Sequence, residues 1–199
     1  MPGAAVSDEV LAAEAAAGDT FAFEQLVIRY QRRVFRLASR LTSETDAPDI
    51  LQDTFLQVHK HLPSFRGESQ FSTWLFRVAT NASLMHRRAR ARRPSESLEP
   101  FLPQFNADGE HRGTPEELRT VCRLDESIDR RALAERARDG LARLPDAYRD
   151  AFVLRDLEEL PTGEAAAALG ITPAALRQRV HRARLMLRGF LSDLGGVRP

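Results

Sequence analysis

The amino-acid sequence predicts an all-α protein of two small helical domains joined by a flexible linker, and three observations predict it. Apolar residues recur at three-and-four spacing along most of the chain. That pattern stops between Pro94 and Gly113, where Pro94, Pro100 and Pro103 stand among Ser95, Ser97, Asn106 and Gly109. Past the gap, a short alanine-rich segment ends at Gly170 and a longer helical pattern starts at Pro173, the layout of a helix-turn-helix. With 199 residues, 43% of them apolar, the chain can bury two modest cores. The boundaries read as an N-terminal segment over 1–18, a first unit over 19–93, a linker with a helical end over 94–131, and a second unit over 132–199.

In the first unit, Asp19 is placed to cap a helix whose apolar stripe is Phe23, Leu26, Val27, Tyr30, Val34, Leu37, Ala38 and Leu41. A second helix runs from about Asp46 to Leu62, with Ile50, Leu51, Phe55 and Val58 inward, and Pro63 ends it. A loop over 64–68 leads to Ser69, a plausible cap. The third helix is expected to turn Phe71, Trp74, Leu75, Val78, Ala82 and Met85 inward. It ends in the arginine-rich run from Met85 to Arg93, opposite in character to Asp46, Asp49 and Asp53.

After the linker, Thr114, Pro115 and Glu117 form a capping box, and Gly140 weakens the helical stretch that follows. Helices are then expected near Asp146–Leu157, Gly163–Leu169 and Pro173–Leu191. In the last of these, Leu176, Val180, Ala183 and Leu187 form the inward stripe. Arg177, His181, Arg184 and Arg188 form another, with Gln178 and Arg182 beside it. No acidic residue occurs from Ala165 to Ser192, which suits a helix laid against nucleic acid: arginines neutralise phosphates, and those near the helix start reach base edges. Aromatics at Phe65, Phe71, Trp74 and Phe76 precede the other arginine run, the pairing that holds unpaired bases by stacking. Core packing is the plainer reading of Phe71 and Trp74.

Other chemistries find little support. Cys122 is the single cysteine, so no disulfide within the chain is possible. The five histidines are scattered, and neither a metal nor another cofactor is expected. There is no phosphate loop, nucleophile elbow or triad, so no catalytic residue is assigned. A thiol switch at Cys122 has only a lone cysteine behind it. The N-terminus carries acidic residues and no basic start of a signal peptide, so the expected location is the cytoplasm.

The stretches Asp46–Phe55 (DAPDILQDTF), Phe65–Ser69 (FRGES) and Phe71–Asn81 (FSTWLFRVATN) closely resemble region 2 of extracytoplasmic-function (ECF) sigma factors. Ala142–Asp146 (ARLPD) and Val180–Arg184 (VHRAR) resemble their region 4. The resemblance covers about Phe21–Arg93 and Ala132–Arg188. It departs at Pro48, at Thr162–Ala166 and at Ala175–Gln178, which leaves the upstream promoter preference open.

This resemblance implies a sigma subunit that binds bacterial core RNA polymerase and opens promoter DNA. Asp49, Gln52, Asp53 and Phe55 fall where the family docks on the β′ coiled coil, and region 4 is expected near the β flap. The loop residues Phe65, Arg66, Gly67, Glu68 and Ser69, with Arg77, Asn81, Arg87 and Arg88, would take the −10 element and a flipped base. Ala174, Arg177, Gln178, His181, Arg182 and Arg184 would take the −35 element. An anti-sigma factor is a further implied partner. The rival reading is a helix-turn-helix regulator of duplex DNA that is not a polymerase subunit; it accounts for Pro173–Arg188 but not for Asp46–Arg93.

Overall fold

The computed structural model describes residues 6–91 and 130–192, and every regular element among them is helical. The linker prolines, the Thr114 capping box and Cys122 lie outside the described residues. The N-terminal part holds α1 (Asp8–Ala16), α2 (Thr20–Leu41), α3 (Ala47–His61) and α4 (Phe71–Ala91), with a 3-10 turn at Leu62–Ser64. The C-terminal part holds α5 (Arg130–Arg143), α6 (Asp146–Phe152), a π-helical turn at Val153–Leu157, α7 (Thr162–Leu169) and α8 (Pro173–Ser192).

Local chemistry sets most of the boundaries. The Asp19 carboxylate accepts from the N–H groups of Phe21 (2.8 Å) and Ala22 (3.2 Å), so α2 starts where the cap was expected. Its stripe from Leu26 through Tyr30, Val34 and Leu37 to Leu41 is buried. The Asp46 side chain does not cap α3; it accepts from the Ser43 hydroxyl at 2.8 Å instead, and a proline in the first turn supports the start. Nor is Ser69 the cap of α4. The Gln70 carbonyl accepts from the Trp74 N–H at 3.1 Å, which places the cap one residue later.

Residues before Gly18 were expected to precede the bundle, yet α1 packs along α2. Ser7 caps it, Leu11 and Ala12 are buried, and Asp8 receives hydrogen bonds from Arg29 and from the Tyr30 hydroxyl. Burial, with Asp8 beside it, pushes the Tyr30 phenol up to about 12.

The inward face of α4 also differs from expectation. Met85 is 68% exposed, Trp74, Val78 and Ala82 are only half-buried, and Phe76, Ala79, Thr80 and Ser83 are buried instead. The reason is that α4 is covered on two sides, by α2 and α3 and by α7 of the C-terminal part. One apolar cluster runs through both parts, taking in Val34, Leu37 and Phe76 together with Leu154, Leu160 and Ala165.

In the C-terminal part α5 continues through Gly140. A Cβ there would meet Leu187 Cδ2 at 3.3 Å, so glycine lets α5 and α8 approach closely. The helix expected near Asp146–Leu157 is α-helical to Phe152 and continues to Leu157 as the π turn, where the Glu158 N–H donates to the Val153 carbonyl. Gly170 takes the left-handed conformation (φ 65°) that closes α7, and the Thr172 hydroxyl accepts from the Ala175 N–H at 3.2 Å to start α8. Leu176, Val180 and Ala183 are buried as the stripe predicts, and Leu187 is half-buried.

Candidate nucleic-acid interface

Three surfaces follow from this architecture. The first is the outer side of α3. Asp49, Gln52 and Asp53 are exposed and follow helical spacing, and the next residue in that register is Leu56, 60% exposed. Phe55 is off the stripe, half-buried against the core. The apolar member of this face is therefore Leu56, which the sequence reading missed and which its spacing from Asp49, Gln52 and Asp53 would have revealed. Beside it, Gln31, Arg32, Phe35, Arg36 and Leu51 line an open groove between α2 and α3.

The second surface lies between the 64–70 loop and α4. Gly67 turns the loop in the left-handed region (φ 70°), the conformation that suits glycine. A cleft of about 440 Å³ opens there, lined by Phe65, Arg66, Glu68, Ser69, Trp74 and Arg77, with Glu164 arriving from α7. Phe65 packs against Trp74 with ring centroids 5.1 Å apart, leaving both half-buried beside the cleft. Phe71 and Phe76, offered above with them as stacking aromatics, are buried completely or nearly so and belong to the core. Along α4, Trp74, Arg77, Asn81, Met85 and Arg88 fall on one face by helical spacing; Asn81, Met85 and Arg88 are exposed. Met85 is thus a surface residue of this face and not a core residue.

Arg87 departs from the expectation. It points away from that face and is gripped by the C-terminal part. Its Nη1 and Nη2 donate to Asp150 Oδ1 and Oδ2 at 2.9 and 2.5 Å, its Nε lies 3.3 Å from Asp146, and Nη1 also donates to the Leu41 carbonyl. These hydrogen bonds to Asp150 keep the guanidinium charged more firmly than usual, against the opposing effect of burial. Arg77 lies 3.6 Å from Glu164. On α2, Arg40 and Arg33 approach the buried Glu158 at 2.9 and 3.6 Å, and Arg33 also stacks over Phe76. Burial pushes the Glu158 carboxyl above its ordinary range, and the arginines offset this only in part.

The third surface is the outside of α8. Ala174, Arg177, Gln178 and His181 are exposed in one register, and Arg188 continues it. Arg182 lies to the side, half-buried, donating to the Tyr148 hydroxyl at 3.3 Å. Arg184 is exposed but clasped by Asp156 through two hydrogen bonds of 2.7 and 2.8 Å. Ala174, Arg177, Gln178 and His181 thus share one exposed register near the start of α8. Among the described residues, no helix is long and apolar enough to cross a membrane.

Residues 26–93 match the family model for sigma-70 region 2, and residues 134–187 match that for sigma-70 region 4. The ECF RNA polymerase sigma-E factor of Haemophilus influenzae is 33% identical, over 95% of this chain and 97% of its own. The sigma-E factor of Escherichia coli K12 is 35% identical over 90% and 91%. Among solved structures, CnrH in complex with the cytosolic domain of CnrY superposes with a TM-score of 0.62 at 28% identity, covering 94% of this chain and 97% of that one.

Proposed function

Since the chain belongs to the ECF family of sigma-70 factors, we propose that its three surfaces divide the work of transcription initiation among the residues just placed. A sigma factor supplies binding and positioning, not covalent chemistry, and works where the polymerase is, in the cytoplasm. Residues 19–93 serve as region 2 and 132–199 as region 4, with 94–131 as the tether.

The docking face for core polymerase is the α3 stripe of Asp49, Gln52, Asp53 and Leu56, with Phe55 behind it. What supports this is an exposed leucine set among acidic and amide side chains: an apolar anchor with a polar rim is what a protein interface needs. The β′ coiled coil is the expected counterpart, with region 4 near the β flap.

The −10 element is taken by the cleft between the loop and α4. Phe65 and Trp74 offer ring faces, Arg66 and Glu68 offer polar partners for a base edge, and Arg77, Asn81 and Arg88 follow the strand. Unstacking a base costs a few kcal/mol, which stacking and phosphate neutralisation together offset. The −35 element lies against α8, read by Ala174, Arg177, Gln178 and His181 from the helix start, with Arg182 and Arg184 at the flanks.

What supports the reading is the coexistence in one chain of an exposed arginine-bearing register on α8, a second basic face on α4 and a separate exposed stripe of Asp49, Gln52, Asp53 and Leu56 on α3. A regulator of duplex DNA alone has no use for the last two. Transcription reconstituted with core polymerase on a promoter library tests it and returns both promoter preferences. Failure to bind core polymerase in the absence of DNA would leave the helix-turn-helix regulator as the better account. CnrH is solved with a protein partner, and a protein inhibitor of the anti-sigma type is the corresponding expectation for this chain.

A further inference from the structure

The outer stripe of α8, formed by Arg177, His181, Arg184 and Arg188, lies in a run of sequence without acidic residues from Ala165 to Ser192. The fold nevertheless brings a carboxylate to it. Asp156 accepts at Oδ2 from the Arg184 Nε (2.7 Å) and at Oδ1 from its Nη2 (2.8 Å). Arg177 and Arg188 are in no ion pair among the described residues.

The backbone that carries Asp156 is firmly held. Asp156 sits in the π turn, and Val153, Leu154, Glu158 and Leu160 around it are buried. The Leu160 N–H donates to the Leu154 carbonyl at 3.0 Å. Glu159 turns the chain in the left-handed region (φ 57°), a conformation seldom adopted by residues with a side chain. Asp156 is 17% exposed and Arg184 60%, so the carboxylate is the fixed partner and the arginine is brought to it. Donation to Asp156 raises the Arg184 guanidinium above its ordinary pKa, so both members of the pair stay ionised and their charges cancel.

From this we infer that Asp156 is a specificity-determining residue of the α8 face: it neutralises Arg184 toward loosely bound duplex while fixing its guanidinium for one register-dependent contact. The inference rests on the reading of α8 as the face for the −35 element. Sequence-independent binding depends on how many unbalanced cations meet the backbone, each adding about 0.9 to the salt slope. An arginine already balanced by a carboxylate adds little there. Its hydrogen bonding is a separate matter. Asp156 takes donors on Nε and Nη2 and sets the plane of the guanidinium, leaving Nη1 for another acceptor. A donor fixed in this way meets a phosphate oxygen only where α8 sits in register on its own element. The side chain is ordered before binding, so little freedom is lost when that contact forms.

The test uses the full chain, in which the α8 stripe is exposed, and follows duplex binding by fluorescence anisotropy. One probe is an upstream element that the wild-type chain selects from a randomised pool; the other is an unrelated duplex of equal length. Asp156→Asn is expected to bind the unrelated duplex about fivefold more tightly at ~0.1 M salt, with a salt slope steeper by about 0.9. Its affinity for the selected element should change by less than about twofold, so discrimination falls. Arg184→Gln should do the reverse, weakening the selected element several-fold while leaving the unrelated duplex within about twofold of wild type. Asp156→Asn combined with Arg184→Gln should restore the wild-type slope, and Asp156→Glu should keep it.

Loosened packing around the π turn does not steepen a salt slope, so this readout separates the positioning role from a structural one. Arg184→Gln alters an exposed side chain and keeps the test open to failure even if Asp156→Asn unfolds. A folded Asp156→Asn chain that grips the unrelated duplex no more tightly than wild type overturns the inference. So does an Arg184→Gln chain that loses both duplexes equally. A wild-type chain that selects no sequence rejects the reading of α8 itself, whereas selection with an unresponsive Asp156→Asn rejects only the role of Asp156.

Discussion

Arg87 and Asp150, 63 residues apart in the chain, are joined by two parallel hydrogen bonds that pin the end of α4 to α6 of the C-terminal part. Asp150 is almost wholly enclosed and ion-paired with this guanidinium. Arg87→Ala leaves a buried carboxylate without its partner, a loss of about 3–5 kcal/mol in such settings. Denaturant melts should show that loss as uncoupling, one cooperative transition becoming two. The combination with Asp150→Ala should cost clearly less than the two single changes added together, because the second removes the charge that the first strands. Additive losses would mean the pair is not coupled.

The docking stripe on α3 is exposed, so substitutions there should act on binding and not on folding. Asp53→Arg and Leu56→Glu are each expected to leave thermal stability within about 0.5 kcal/mol of wild type and to abolish capture of core polymerase. Surface plasmon resonance with immobilised core, beside circular-dichroism melts, checks both. If Asp53→Arg bound with undiminished affinity, the face would be assigned to the wrong side of the bundle.

On α8, Arg177 is exposed near the helix start, whereas Arg184 is held by Asp156. Arg177→Ala should therefore relax discrimination at one upstream base pair by about 1–3 kcal/mol, the worth of a bidentate base contact. Arg188→Ala, later in the same register, should weaken all sequences alike and reduce the salt dependence. Selection of bound sequences from a randomised upstream element distinguishes the two outcomes.

Tyr30 reports on the seat of α1. Its phenol is pushed up to about 12 by burial and by its hydrogen bond to Asp8. The folded chain thus holds that proton longer than the unfolded one does, whose tyrosine titrates near 10.0. The associated stability is complete below pH 10 and disappears as pH rises toward 12. In a Tyr148→Phe background, absorbance at 295 nm should follow Tyr30 alone and show its step near 12. Asp8→Asn should move the step down.

Much of this architecture is legible in local chemistry. The Asp19 cap, the left-handed Gly170 and the Thr172–Pro173 start each depend on atoms within four residues, and periodicity alone places Leu26, Tyr30 and Val34 inside. What escapes is whatever depends on distant chain. Helix α1 is rich in alanine and has little amphipathic contrast, so only its docking on α2 gives it away. Periodicity assigns α4 a single buried face, yet α7 of the C-terminal part packs on it as well, and Phe76 and Thr80 are buried while Met85 stays outside. For the same reason Arg87 and Arg88 look equivalent in sequence, although Asp150 holds one and the other is exposed.

Met85 provides the sharpest test of the revised α4 face. A methionine 68% exposed between Asn81 and Arg88 contributes little to the core, so Met85→Ala should leave unfolding within about 0.5 kcal/mol of wild type. Thioethers pack well against flat rings, and this one sits where a displaced strand would pass along the helix. Met85→Ala is expected to slow promoter opening, followed by permanganate reactivity of unpaired thymines, several-fold without changing affinity for core polymerase. Met85→Leu, which keeps the apolar bulk, should restore most of the rate. If Met85→Ala instead cost 2 kcal/mol or more of stability, in the range of a core truncation, the side chain would belong to the core after all, and α4 would present its strand-binding face in a different register.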